Sequence, residues 1–260
     1  MQITPNYWSD SKCAKAFWGQ HDLPPYRQLL KDTVEWVAPA SGESWLDLGC
    51  GGGALTRAVW EASKGEVNNV LGLDIAAANA SVYQKLSETL TPLPGPKIQF
   101  LTHNFSNGLS PLSDNSLDGV VSGLAISYAQ SLDEATSKWT SVAYDHLLDE
   151  IYRVLKPGGR FVFSVNVPNP SWWKIAWKSL AETRKNRRPL QYLKKSWRMM
   201  RYGSWLKSEW RAGRFHYFSA EVIFDKLVRC GFSSIEHRLC YEGQAFLFRC
   251  HKAKPVEDRS

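Results

Sequence analysis

Between residues 45 and 56 the chain reads Trp-Leu-Asp-Leu-Gly-Cys-Gly-Gly-Gly-Ala-Leu-Thr, an apolar run that breaks into glycines and then resumes as helix formers. The run Ser44–Leu48 predicts a strand, and a helix is expected to start near Ala54. Glycines at 49, 51 and 53 let the backbone pass close to a ligand and can aim amide groups at it. A second apolar run, Val70–Leu73, ends on Asp74, 21 residues beyond Gly53. A carboxylate at that strand tip can accept both hydroxyls of a ribose. Strand, glycine turn, helix and acid-tipped strand confine the chain to parallel βαβ units, with the ligand at the carboxyl ends of the strands.

The rest of the chain extends this pattern. Leu29, Leu30, Val34 and Val37 follow helical spacing after Pro24-Pro25, where a first helical turn tolerates proline, and Pro39–Gly42 ends that helix. Ala76–Leu90 predicts a helix, Pro92–Pro96 a loop, Ile98–Leu101 a third strand and Gly119–Ser122 a fourth. Tyr144–Leu155 is helical in period and stops at Lys156-Pro157-Gly158-Gly159, before a fifth strand over Arg160–Val167. Ala220–Cys230 predicts a last helix, and Ile235–Cys240 with Ala245–Cys250 an antiparallel hairpin. The expected fold is α/β: a Rossmann-like, doubly wound, mostly parallel sheet with an antiparallel C-terminal hairpin and a helical lid insertion. Four regions are expected: a helical cap (1–43), the core (44–167), the insertion (168–215), and a helix and strands completing the core (216–260).

The acid two residues before the first glycine discriminates between ligands. A pyrophosphate resting on the helix N-terminus would not favour Asp47, whereas an ammonium and a sulfonium would. The chemistry favours S-adenosyl-L-methionine, with S-adenosyl-L-homocysteine as product, over a nicotinamide dinucleotide. Here the sequence resembles the class I S-adenosylmethionine-dependent methyltransferase family, of the type 11/25 kind. Asp47–Gly53 resembles its first motif and Gly72-Leu-Asp-Ile75 its second. Leu101-Thr-His-Asn-Phe105 resembles the segment that carries an adenine-binding aspartate, with Asn104 standing in the acid's place. Ser116–Gly123 and Leu148–Arg160 resemble the fourth strand and the helix and turn before the fifth. The resemblance covers Ser44–Val167. It implies cofactor contacts at Asp47, Gly49, Gly51, Gly53, Asp74, Ile75, Asn104, Phe105 and Ser122. Asn104 also reads as a turn former after a strand.

The insertion 168–215 is not required by that core. It holds six lysines and seven arginines against two glutamates, a net +11 in a chain whose total is +7, and six of the twelve tryptophans. Trp173, Trp177 and Leu180 share one helical face, and Leu190, Leu193, Trp197 and Met200 another. One reading is a solvated helical pair capping the sheet edge. A second is a substrate lid whose basic, Trp-bearing surface lies on an anionic membrane. A third is a nucleic-acid surface. The lid with membrane contact is preferred. Ser122–Tyr128 lacks the Asn/Asp-Pro-Pro-aromatic tetrapeptide common in base methyltransferases and resembles the small-molecule and lipid or quinone branch instead.

Methyl transfer is a displacement helped chiefly by alignment and exclusion of water, with a general base for a carbon or phenol nucleophile. Tyr128 after strand four, His216 at the close of the insertion and Tyr7 in the cap are the catalytic candidates; His216 is also readable as structural, and both tyrosines as pocket walls. The expected acceptor is small and hydrophobic or lipid-like, such as a quinone, isoprenoid or phenol. The rivals are an RNA or protein acceptor, or a binding module that has lost its chemistry. No spacing suggests a metal site. The five cysteines lack a CxxC pair and read as small buried hydrophobes. The N-terminus lacks the charged and apolar regions of a signal peptide, and no apolar run is long enough to cross a bilayer. A cytoplasmic, peripherally membrane-associated protein is the expectation.

Overall fold

The computed structural model describes residues 6–10, 24–91, 97–171 and 202–254. Five parallel strands form most of one sheet: β1 (Ser44–Leu48), β2 (Asn69–Asp74), β3 (Ile98–Thr102), β4 (Leu117–Gly123) and β7 (Leu155–Asn166). The closing strands β8 (Phe232–Cys240) and β9 (Ala245–Lys252) pair antiparallel, and β9 lies antiparallel against β7. The order is β3-β2-β1-β4-β7-β9-β8. This is the doubly wound sheet with a C-terminal hairpin that the sequence predicts.

The core strands are apolar on both faces because both faces are covered by helices. Trp45, Val121 and Val162 join one buried cluster with Leu29 and Val37 of α1 (Pro24–Val37), Leu55 and Val59 of α2 (Ala54–Ala62), and Leu86 of α3 (Ala80–Leu90). Their chain neighbours Leu46, Val120, Phe161 and Phe163 join the other, with Leu147 and Ile151 of α4 (Val142–Val154). Ile223 and Leu227 of the last helix, Ala220–Arg229, complete that layer. Alternation along each strand is what splits the two layers. In α1 the prolines occupy the first turn, and Leu29, Thr33 and Val37, four residues apart, form the buried stripe. Tyr83 of α3 lies over Gly72 of β2, where a Cβ would come within 2.4 Å of its ring. Only glycine lets helix and sheet approach that closely.

Two features differ from expectation. β7 begins at Leu155, paired with Leu117, and runs through the Pro-Gly-Gly turn with a register irregularity. A small hairpin, β5 (Ser131–Asp133) and β6 (Lys138–Thr140), follows β4. Three residues per strand are too few for a period-2 pattern to register. Of the insertion, residues 168–171 and 202–215 are described, including a helix over 202–211, here α5. With α5 counted, the helix Ala220–Arg229 is α6. The two expected helical stripes between Trp173 and Met200 lie outside the described residues. Cys50, Cys240 and Cys250 are buried and Cys230 half-buried, all as free thiols.

Candidate active site

A cavity opens at the carboxyl ends of β1, β2, β4 and β7, where a doubly wound sheet reverses its strand order. Gly49–Gly52 form its floor, Asp74, Ile75 and Ala76 one wall, and Asn104 and Phe105 the adjoining rim. Most amides of the glycine loop are engaged within the protein. Gly49 N and Cys50 N donate to Leu73 O, Gly53 N to Cys50 O, and Gly51 N to Asp74 Oδ2 at 2.9 Å. The glycines therefore act mainly through close approach rather than as amide donors to a ligand. Gly49 has φ +71°, and a Cβ there would stand 2.3 Å from Cβ of Ala125 on the opposite wall.

The Asp74 carboxylate is clamped by Gly51 N and, at 2.8 Å, by Ala76 N. It lines the cavity, and the Asn79 side chain and the Ile75 amide also reach it. Asn104 Oδ1 accepts from Ser106 N at 3.0 Å and caps the short turn Phe105–Asn107. It thus fulfils the turn-former reading while still facing the cavity.

Three expected cofactor residues face elsewhere. Asp47 turns onto the start of α2, where Oδ2 accepts from Thr56 N (3.0 Å) and Thr56 Oγ1 (2.7 Å), and Thr56 Oγ1 meets Tyr83 Oη at 2.7 Å. It satisfies an orphan amide of the first turn. Burial pushes the Asp47 carboxyl up to about 6, against those hydrogen bonds. Gly53 is the left-handed N-cap of α2, and Ser122 Oγ donates to Leu48 O, stitching β4 to β1. None of the three is on the cavity wall.

The catalytic candidates also separate. Tyr128 lies on the wall, its ring 4.7 Å from Trp8 and 4.9 Å from Phe215. Burial pushes its hydroxyl up to about 12, so near neutrality it is a hydrogen-bond donor. Tyr7 stacks on Trp205 at 3.9 Å, and its neighbour Trp8 is the residue that lines the cavity. His216 is buried behind the site, stacked on Phe218 and edge-on to Tyr144. Burial pulls its imidazole down to about 4, leaving it neutral. Its position follows from its amide, which donates to Ser127 O and ties the segment to the turn after β4.

The half of the cavity beyond the glycine loop is walled by Asn6, Trp8, Tyr26, Leu124, Tyr128, Asn166, Tyr202 and Leu206. The sequence reading names only Tyr128 among these. Asn166 was legible in principle, since it ends β7 at the ligand edge of the sheet. Trp8 and Leu206 arrive from distant segments, and no local pattern marks them.

Residues 46–163 match the methyltransferase domain family. The chain is 32% identical over 122 residues to a demethylmenaquinone methyltransferase of Symbiobacterium thermophilum, spanning 46% of this chain and 41% of that protein. It is 29% identical over 128 residues to a 2-phytyl-1,4-naphtoquinone methyltransferase of Thermosynechococcus vestitus, spanning 49% and 48%. The chain spans about half the length of the curated relatives it matches. In fold it is similar to the N-methyltransferase NodS of Bradyrhizobium japonicum, with a TM-score of 0.59 at 14% identity, covering 95% of this chain and 99% of that one. Residues 46–163 are thus similar to a methyltransferase domain, and the fold is similar to that of S-adenosylmethionine-dependent methyltransferases.

Proposed function

We propose that this chain transfers a methyl group from S-adenosylmethionine to a neutral aromatic or lipid-like acceptor of the quinone or phenolic kind. The observation that carries the reading is one cavity with two unlike halves. One is a glycine floor beside a clamped carboxylate; the other is an aromatic wall built by Trp8, Tyr26 and Tyr128. The relatives named above, which act on naphthoquinone-type substrates by their names, support the choice of acceptor.

The cofactor fits the residues present. Asp74 would take the ribose hydroxyls, with Ile75, Asn104 and Phe105 around the adenine and Gly49–Gly52 beneath. When bound, it supplies a methyl carbon made electrophilic by its sulfonium. Gly49 and Ala125 hold the two walls close, which excludes water and favours alignment over acid–base chemistry. Tyr128 stays protonated and orients an acceptor oxygen by donating to it. The aromatic contacts of Tyr7 and Trp8 with Trp205 hold the cap and α5 together over this half. Among the described residues no helix is long and apolar enough to cross a membrane. The +11 segment supports peripheral contact with an anionic lipid surface, from which a lipid-like acceptor would enter.

The test incubates the protein with methyl-labelled S-adenosylmethionine and a prenylated 1,4-naphthoquinol that lacks the ring methyl. The expected product carries one labelled methyl group. Cofactor binding with no transfer to the naphthoquinol or to simple phenols would overturn the acceptor assignment.

A further inference from the structure

On the acceptor side of the cavity three polar side chains converge from separate elements. Asn166 is the last residue of β7, held opposite Ala245 of β9. Tyr128 closes the turn after β4, and Tyr217 is brought to it by the bond from His216 N to Ser127 O, with ring centroids 6.5 Å apart. The two hydroxyls and the amide face one another. Tyr217 Oη is shared with Tyr128 and Asn166, but Asn166 Oδ1, on the cavity wall, has no hydrogen-bond partner among the described residues. Asn166 is 1% exposed and Tyr217 3%. A buried orphan acceptor on a cavity wall is uncommon in native proteins and points to a group that the site is built to receive.

The surroundings define that group. Among the described residues lining the cavity, Asp74 at the cofactor end is the one charged side chain. Among the described residues a carboxylate or phosphate on the acceptor would find no counter-charge there, which is costly in a buried site. The amide offers an acceptor and two donors, and a phenol offers one of each. A neutral hydroxyl matches this set, because it donates to one partner while accepting from another.

We propose that Asn166, Tyr128 and Tyr217 form the polar anchor for a neutral phenolic or enolic hydroxyl of the methyl acceptor, and so select hydroxyl-bearing aromatics over their ethers. The assignment rests on the methyltransferase reading and deepens it. Asn166 is a specificity-determining residue in this scheme, with Tyr217 completing the hydrogen-bond set from behind the wall.

The experiment measures binding of 1-naphthol and of 1-methoxynaphthalene, which lacks the O–H donor, to protein saturated with S-adenosylhomocysteine. The wild-type protein should prefer the naphthol by about 10-fold, the worth of one to two good hydrogen bonds. Asn166→Leu and Tyr217→Phe should each bring the two affinities to near equality. Both variants should still unfold cooperatively and bind S-adenosylhomocysteine, so a lost preference cannot be ascribed to misfolding. Equal affinity for the two probes in the wild type, binding of neither, or a preference that survives both substitutions would overturn the proposal. Calorimetry with S-adenosylhomocysteine alone separates the two levels: failure there sinks the cofactor reading, and the naphthol preference is then judged on the protein without it.

Discussion

Asp47→Asn replaces a buried charge by a neutral group of the same shape. The carboxylate is 1% exposed, and its partners are the Thr56 amide and hydroxyl at the head of α2. Burial raises it from 3.8 to about 6. A carboxyl whose pKa is higher in the folded state prefers the protonated form there. Its contribution is therefore fully present below about pH 4 and lost as pH rises through about pH 6. A rise of about 2 units corresponds to a cost of about 3 kcal/mol above that range. Asparagine keeps an oxygen for Thr56 and does not titrate. Its own offset, from a weaker acceptor and two amide hydrogens, is the same at every pH. The quantity to measure is thus the difference in unfolding free energy between variant and wild type, by urea denaturation from about pH 4 to about pH 8. It should move in the variant's favour by about 3 kcal/mol, with most of the change below about pH 6. A flat difference across that range would refute the account. It would mean that the amide of α2 and its dipole compensate the charge fully.

Asp74→Ala should weaken S-adenosylmethionine binding at least about 10-fold by calorimetry, as hydrogen bonds to a charged group are lost. Gly72→Ala should destabilise the fold by about 1–3 kcal/mol in urea unfolding, since its methyl would enter the Tyr83 ring; unchanged stability would mean that α3 shifts freely. Trp8→Ala should raise KM for the naphthoquinol with S-adenosylhomocysteine affinity preserved, because Trp8 packs on Tyr128 and Phe215 in the acceptor half; a parallel loss of cofactor affinity would count against the division into two halves. Vesicles with anionic lipid should cosediment the protein at low salt and neutral vesicles should not, given about 1 kcal/mol per engaged basic residue; equal binding to both would remove the electrostatic basis for membrane contact.

The order of elements and the glycine-loop end of the cavity were legible in the sequence because they are local. Strand, glycine turn and helix follow one another within twelve residues, and Asp74 ends the next strand by the geometry of a βαβ unit. The order of the motifs carries the resemblance to methyltransferases without any tertiary information. What the motif does not encode is the direction of each side chain. Asp47 sits in the glycine signature, yet it faces α2, because an orphan helix amide lies on that side. His216 reads as a titratable group near the strand tips, but its amide is tied to Ser127 O and its ring is buried against Tyr144 and Phe218. The aromatic half of the cavity was decided by tertiary structure alone. Trp8, Tyr128, Asn166 and Leu206 come from four segments spread across some 200 residues, and they become neighbours only when the sheet brings its carboxyl edge under α5 and the N-terminal turn. A chain pattern records which residues share a face of one element. It holds no record of which elements will meet, since that is set by packing summed over the whole core.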